Sequence, residues 1–220
     1  MKRNCICLII LLFFCQSSIV FAQKNFIEGQ ITYFVKIESA DPKQNDKAIH
    51  GTLNLFLKGH LIVKELTLES GFKNTMLYNG NTKAIYALRK MGDEKYALQL
   101  DENQIKKKQE KCKKLTIEEV DSEPKTIADF KAQKAKLTCN NTEHISLYYT
   151  REWLVGNEHL FEDFPSFPYL PLAYSIKSDD GNKLHFELRK IEPKPIDNAV
   201  FKIPEGYKVI SAEEYKTWKR

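Results

Sequence analysis

From Ile27 to Ile37 the odd positions carry Ile27, Gly29, Ile31, Tyr33, Val35 and Ile37, while Glu28, Gln30, Thr32 and Lys36 hold most of the even ones. A period of two is the signature of a strand buried on one face. The same pattern returns over Thr52 to Leu57 and Leu61 to Leu68, separated by Lys58-Gly59-His60. Phe72 to Tyr78 and Lys83 to Arg89 flank Asn79-Gly80, a strong hairpin signal. Met91-Gly92-Asp93-Glu94 then turns the chain into Tyr96 to Leu100. Six strands with tight turns predict a meander in one continuous antiparallel sheet.

Between Asp101 and Thr126 charges are dense and apolar residues sparse. Three readings stand there: a long excursion, a short helix or a protruding ribbon. Alternation resumes from Ile127 to Lys136 and Leu137 to Cys139, and Ile145 to Thr150 gives a further strand. Residues 151–172 differ in kind. Trp153, Leu154, Val155, Leu160, Phe161, Phe164, Phe167, Tyr169, Leu170 and Leu172 are punctuated by Pro165, Pro168 and Pro171. Prolines at that spacing forbid a regular helix and dictate an extended or looped path. Ala173 to Lys177 and Lys183 to Ile191 then flank Ser178-Asp179-Asp180-Gly181-Asn182, another hairpin. Ser211-Ala212-Glu213-Glu214 is a capping box that opens a short helix from Ala212 to Trp218. The predicted class is mainly β (α+β): one curved antiparallel sheet or half-open barrel with a few short helices.

The N-terminus changes the context. Lys2 and Arg3 precede an apolar run from Ile6 to Phe14, and Val20-Phe21-Ala22 offers a signal-peptidase site before Gln23. The run is about half of the roughly 20 residues that span a bilayer. We therefore read 1–22 as a cleaved signal peptide and 23–220 as a single β-rich domain, extracytoplasmic, most simply periplasmic and soluble. Lipid attachment at Cys15 is the weaker alternative, because bulky Phe14 precedes it. Loss of Lys2 and Arg3 with the leader lowers the formal charge from +5 to +3. Such a mild balance, in that compartment, argues against nucleic acid as a partner. The dense basic patch Lys106, Lys107, Lys108 and Lys111, continued by Lys113 and Lys114, reads either as a solvated face or as a contact for an anionic membrane surface.

Three of the five cysteines leave with the leader, so Cys112 and Cys139 remain and are expected to pair in an oxidising compartment. Two cysteines with His144 make a poor zinc pattern, and the five histidines are scattered, so neither a metal site nor a cofactor is expected. Asn140-Asn141-Thr142 fits a glycosylation acceptor, a tripeptide common by chance. No Gly-x-Ser-x-Gly elbow, His-Glu-x-x-His or phosphate-cradling loop occurs, so no catalytic residue is nominated. Glu143-His144 and Glu158-His159 are sequence neighbours, which in a strand point to opposite faces.

The order of several short motifs is familiar. Phe26-x-x-Gly29-x-Ile31-x-Tyr33 opens the sheet, and Thr126-Ile127-Ala128-Asp129-Phe130-Lys131-Ala132-Gln133-Lys134-Ala135 precedes Tyr148-Tyr149-Thr150. Leu170-Pro171-Leu172 follows an apolar loop, and Val200-Phe201-Lys202-Ile203-Pro204-Glu205-Gly206-Tyr207 comes near the end. Together these resemble bacterial envelope proteins of the GLPGLI family and neighbouring families with a LolA- or LolB-like fold. Asp129, Ala132 and the stretch Phe167 to Leu172 depart from the family pattern. The resemblance implies a curved sheet enclosing an apolar cavity, used to carry or sense acyl chains.

The binding expectation falls on the aromatic segment, with Trp153, Leu154, Phe161, Phe164, Phe167, Tyr169 and Leu170 as cavity wall or lid. The first functional reading is a carrier for a lipid or lipoprotein acyl chain. A non-catalytic envelope interaction module with a filled core is the alternative, and an unrecognised hydrolase the third. Burial of each such side chain stabilises by roughly 1.5–3 kcal/mol in either of the first two cases. Only the volume left empty separates them.

Overall fold

The computed structural model describes residues 23–41, 48–91, 93–101, 103, 110, 112, 114–140, 143–157, 159–178 and 180–218. The expected leader at 1–22, the basic residues Lys106, Lys107, Lys108 and Lys111, and Glu158 lie outside them. Among the described residues thirteen strands form one large, open, curved sheet. They are β1 (Lys24–Asn25), β2 (Glu28–Glu38), β3 (Ile49–Lys58), β4 (Leu61–Leu68), β5 (Lys73–Asn79), β6 (Ala84–Met91) and β7 (Glu94–Gln99). After these come β8 (Leu115–Ile127), β9 (Phe130–Cys139), β10 (Glu143–Leu154), β11 (Tyr169–Lys177), β12 (Lys183–Pro193) and β13 (Tyr207–Ile210).

Two antiparallel meanders, β2 to β7 and β8 to β12, are joined where β12 pairs with β2. At that junction Phe186 faces Val35 and Leu188 faces Tyr33, so the period-two pattern of both strands places its apolar members on one side. We call this the inner face. Ile31, Tyr33, Leu55, Leu57, Leu137, Leu147, Leu170 and Leu172 are all buried there, in one hydrophobic cluster. On the outer face a smaller cluster of Val63, Leu77, Leu88 and Ala97 is covered by Phe201, Ile203 and Tyr207. Phe201 ends a short 3-10 helix (Asn198–Phe201), which the residue pattern had not announced.

The mainly β class and single continuous sheet expected from the sequence are what the chain adopts. Helix α1 spans Ala212–Trp218, with the capping box made as expected. Ser211 Oγ accepts from the Glu214 N–H at 3.2 Å, and Glu214 Oε2 accepts from the Ser211 N–H at 2.6 Å. No helix among the described residues is long and apolar enough to cross a membrane.

One element differs from the expectation. Alternation through Ile127 to Lys136 suggests an unbroken strand, yet the chain reverses at Ala128-Asp129, between β8 and β9. Both residues take positive φ, 47° and 69°. Aspartate tolerates that region and alanine does not signal it, so no glycine marks the turn. Of the three readings of the middle segment, the ribbon describes 115–127. Strand β8 is almost wholly exposed and, among the described residues, pairs only along β9.

Candidate functional site

The aromatic segment is an insertion between β10 and β11 that folds back over the inner face. Its path is fixed by tight turns. Leu160 N–H donates to Asn157 O, Phe164 N–H to Phe161 O, and Phe167 N–H to Phe164 O. Such bonds let a loop without regular structure be buried, because they satisfy backbone groups that water no longer reaches. Val155 N–H also donates to Pro168 O at 2.8 Å, closing the loop at its neck.

Inside that neck the rings pack edge to face. Phe161 meets Tyr33 and Tyr174 at 6.2 Å between centroids, Phe164 meets Tyr174 at 5.2 Å, and Tyr149 meets Phe167 at 5.4 Å. Tyr174 stacks on Phe186, so the loop is tied to the junction strand. Burial drives the phenols of Tyr33 and Tyr174 well above the usual tyrosine range, so both stay neutral.

Two clefts border the segment. The smaller, of about 210 Å³, lies between the loop and β3–β5, against Leu53, Leu55, Met76, Phe161 and Phe164. The larger, of about 660 Å³, opens at the end of the sheet. Phe26, Ile27, Leu57, Tyr78 and Leu154 line it, with His60, Asn157 and His159 at its polar edge. Ile27 is 70 % exposed there. A gap of about 10 Å³ separates the two clefts, where side chains cross from sheet to loop. Lys64 Nζ reaches Glu162 Oε1 at 2.7 Å, and Tyr78 Oη lies 2.6 Å from His159 Nε2. Lys64 and Glu162 are only 19 % and 12 % exposed, so each charge depends on its partner there.

Of the seven residues nominated for the cavity, the structure brings Phe161 and Phe164 to the smaller cleft and Leu154 to the larger. Trp153, Phe167, Tyr169 and Leu170 line neither; Trp153 packs on Phe26, and Tyr169 on Tyr149. The wall of the larger cleft comes instead from strand ends and turns. Leu57, His60 and Tyr78 stand beside Gly59 and Gly80, residues that a strand pattern reads as ordinary hairpin positions.

Cys112 and Cys139 lie as a pair at disulfide distance, S–S 1.97 Å and Cα–Cα 4.5 Å, both buried. Cys139 Sγ is 3.8 Å from the Asp163 carbonyl, which places the pair against the aromatic loop. Ser-x-x-Lys spacings occur at Ser70–Lys73 and Ser122–Lys125, all four residues exposed, in a turn leading into β5 and along β8. Among the described residues no group of three His, Cys, Asp or Glu could hold a metal ion.

No protein-family model matches the chain, and a search of curated proteins finds no match. Solved structures do align with it. An uncharacterised conserved protein from Thermus thermophilus is 8% identical, with 84% of this chain and 91% of that one covered and a TM-score of 0.49. MucB is 11% identical, with 84% of this chain covered and a TM-score of 0.44; the chain spans 61% of its length. A LolA superfamily protein from Nitrosomonas europaea is 9% identical over 82% of this chain and 92% of its own, at a TM-score of 0.38. At such identities and TM-scores these likenesses carry no argument about family or role.

Proposed function

We propose that this chain is an exported binding protein for a single hydrophobic chain of the acyl class, taken up end-on in the 660 Å³ cleft. The observation that carries this reading is the cleft itself. Its volume is within the range of about 300–1,000 Å³ usual for ligand sites, and its floor is apolar while its edge is polar. An acyl chain buries methylenes at about 0.8 kcal/mol each, and the imidazoles of His60 and His159 face whatever head group stays outside. Export follows from the leader at 1–22, and Lys106, Lys107, Lys108 and Lys111 would bring the protein to an anionic membrane surface.

The second reading, an envelope interaction module with a filled core, draws support from the aromatic segment. Phe164, Phe167 and Leu170 are at most 2 % exposed, and Phe164 packs edge to face on Phe167 at 6.0 Å. Ligand uptake separates the two. A carrier purified from its own envelope shows a hydrophobic adduct in native mass spectrometry and binds a fluorescent fatty acid saturably. Gly156 borders the cleft, and a Cβ there would meet nothing within 4 Å. Gly156→Phe should therefore fill the cleft and abolish probe binding with little change in melting temperature. Saturable binding that survives Gly156→Phe would move the ligand elsewhere, and absence of any binding would leave the filled-core module.

A further inference from the structure

The outer face carries a constellation that the sequence order hides. Ser175 on β11 stands directly opposite His185 on β12, and His185 directly opposite Lys36 on β2. Glu38, two residues beyond Lys36, shares that face. Ser175 Oγ is 2.7 Å from His185 Nδ1, and His185 Nε2 is 3.0 Å from Glu38 Oε2. Lys36 Nζ holds the other carboxylate oxygen at 2.8 Å. His185 Nε2 is closed off from solvent, with the Glu38 carboxylate beside it but out of line for a hydrogen bond. The hydroxyl, imidazole and Lys36 line a groove of about 300 Å³ with Phe34, Tyr148 and Ala173.

From this arrangement we propose that Ser175 is an activated nucleophile, a site that accepts an acyl group from small carboxylic esters. In the tautomer that carries the ring proton on Nε2, Nδ1 accepts the Ser175 O–H. As Oγ bonds to the ester carbonyl carbon, that proton passes to Nδ1 and the carbonyl π pair moves to oxygen. Collapse breaks the bond to the alkoxy group, which leaves as the alcohol with the proton from Nδ1. Water attacking in the same way returns free Ser175 and a carboxylic acid. The carboxylate that would steady the imidazolium is ionised. Lys36 and, after it, His185 hold Glu38 down to about 2. Lys36 also supplies a cation to the groove in which the oxyanion develops. Backbone amides around Ser175 are engaged in the sheet, so turnover is slow and acylation is the observable step.

A polar cross-strand ladder with no reactivity would show the same distances, and labelling separates the two. The purified protein, treated with a small fluorophosphonate, should gain one adduct per chain, mapped by peptide mass spectrometry to Ser175 and lost in Ser175→Ala. His185→Gln should slow labelling at least about a hundredfold, the low side of a general base's contribution. Absence of an adduct, an adduct that persists in Ser175→Ala, or an unchanged rate in His185→Gln would overturn the proposal. If circular dichroism shows that His185→Gln does not fold, Glu38→Gln is read by the same two outcomes. The groove is on the face opposite the acyl cleft, so fatty-acid binding and phosphonylation can fail independently.

Discussion

At Gly29 the backbone takes φ = 149°, and a Cβ there would sit 2.2 Å from the Glu192 carbonyl oxygen and 2.9 Å from the Phe26 ring. The residue lets β2 approach β12 while Phe26, itself packed on Trp153, closes over it. The spacing Phe26-x-x-Gly29 is thus a packing device rather than a binding motif. Gly29→Ala brings overpacking against backbone together with an unfavourable φ. We expect a loss of about 3 kcal/mol, which a thermal melt should read as a drop of roughly 6–12 °C for a chain of this size. A shift within about 2 °C would show that the strand pair relaxes at little cost. Pro171 is a second case. It stands inside β11 without an N–H to donate, and β10 answers with register shifts on both sides of the Tyr149↔Pro171 pair. The Pro171 carbonyl accepts from the buried Tyr33 hydroxyl at 2.8 Å.

Among the elements, those with a period or a cap were legible and those held by tertiary contact were not. Strand β2 follows from its alternation, and α1 from Ser211 and Glu214. The Ala128-Asp129 turn is silent because its positive φ values fall on residues that do not advertise them. In the aromatic segment the prolines announced irregularity, yet composition could not say which rings face a void and which face each other. That depends on the register of β10 against β11, and the register is set by the Pro171 irregularity. Pairing of Cys112 with Cys139 anchors the chain before β8 to the end of β9, beside the loop at Asp163. For a separation of 27 residues the chain-entropy account gives about 3.5 kcal/mol. Reduction should therefore lower the melting temperature by roughly 7–14 °C, and alkylation should label both thiols only after reductant. An equal melt with both cysteines demonstrably alkylated would remove the bridge from the stability of the fold.

For the whole molecule, the main cluster is built on β2, β3 and β9–β12 with the aromatic loop, and it includes residues on both sides of the junction between β2 and β12. Closing that junction joins segments roughly 150 residues apart, as Val35 and Phe186 show. Its loop-closure entropy is offset only when Tyr33, Tyr174, Phe186 and the loop rings pack together. The far end of the first meander depends on two small clusters. Val63, Leu77, Leu88 and Ala97 form one; Ala87, Tyr96, Leu98 and Ile210 form the other. The four-residue parallel pairing of β13 with β7 closes that edge. Fewer shared apolar contacts mean a lower free energy of local opening. Native-state hydrogen exchange should accordingly find the amides of β2, β11 and β12 opening only with global unfolding. Those of β6, β7, β13 and the exposed ribbon β8 should open at lower free energy and lose protection first as denaturant is added. Uniform protection across the sheet would mean that the small clusters are coupled to the junction core. In that case the cleft wall at Tyr78, which bridges β5 and the loop, would be as rigid as the core and unsuited to admitting a chain.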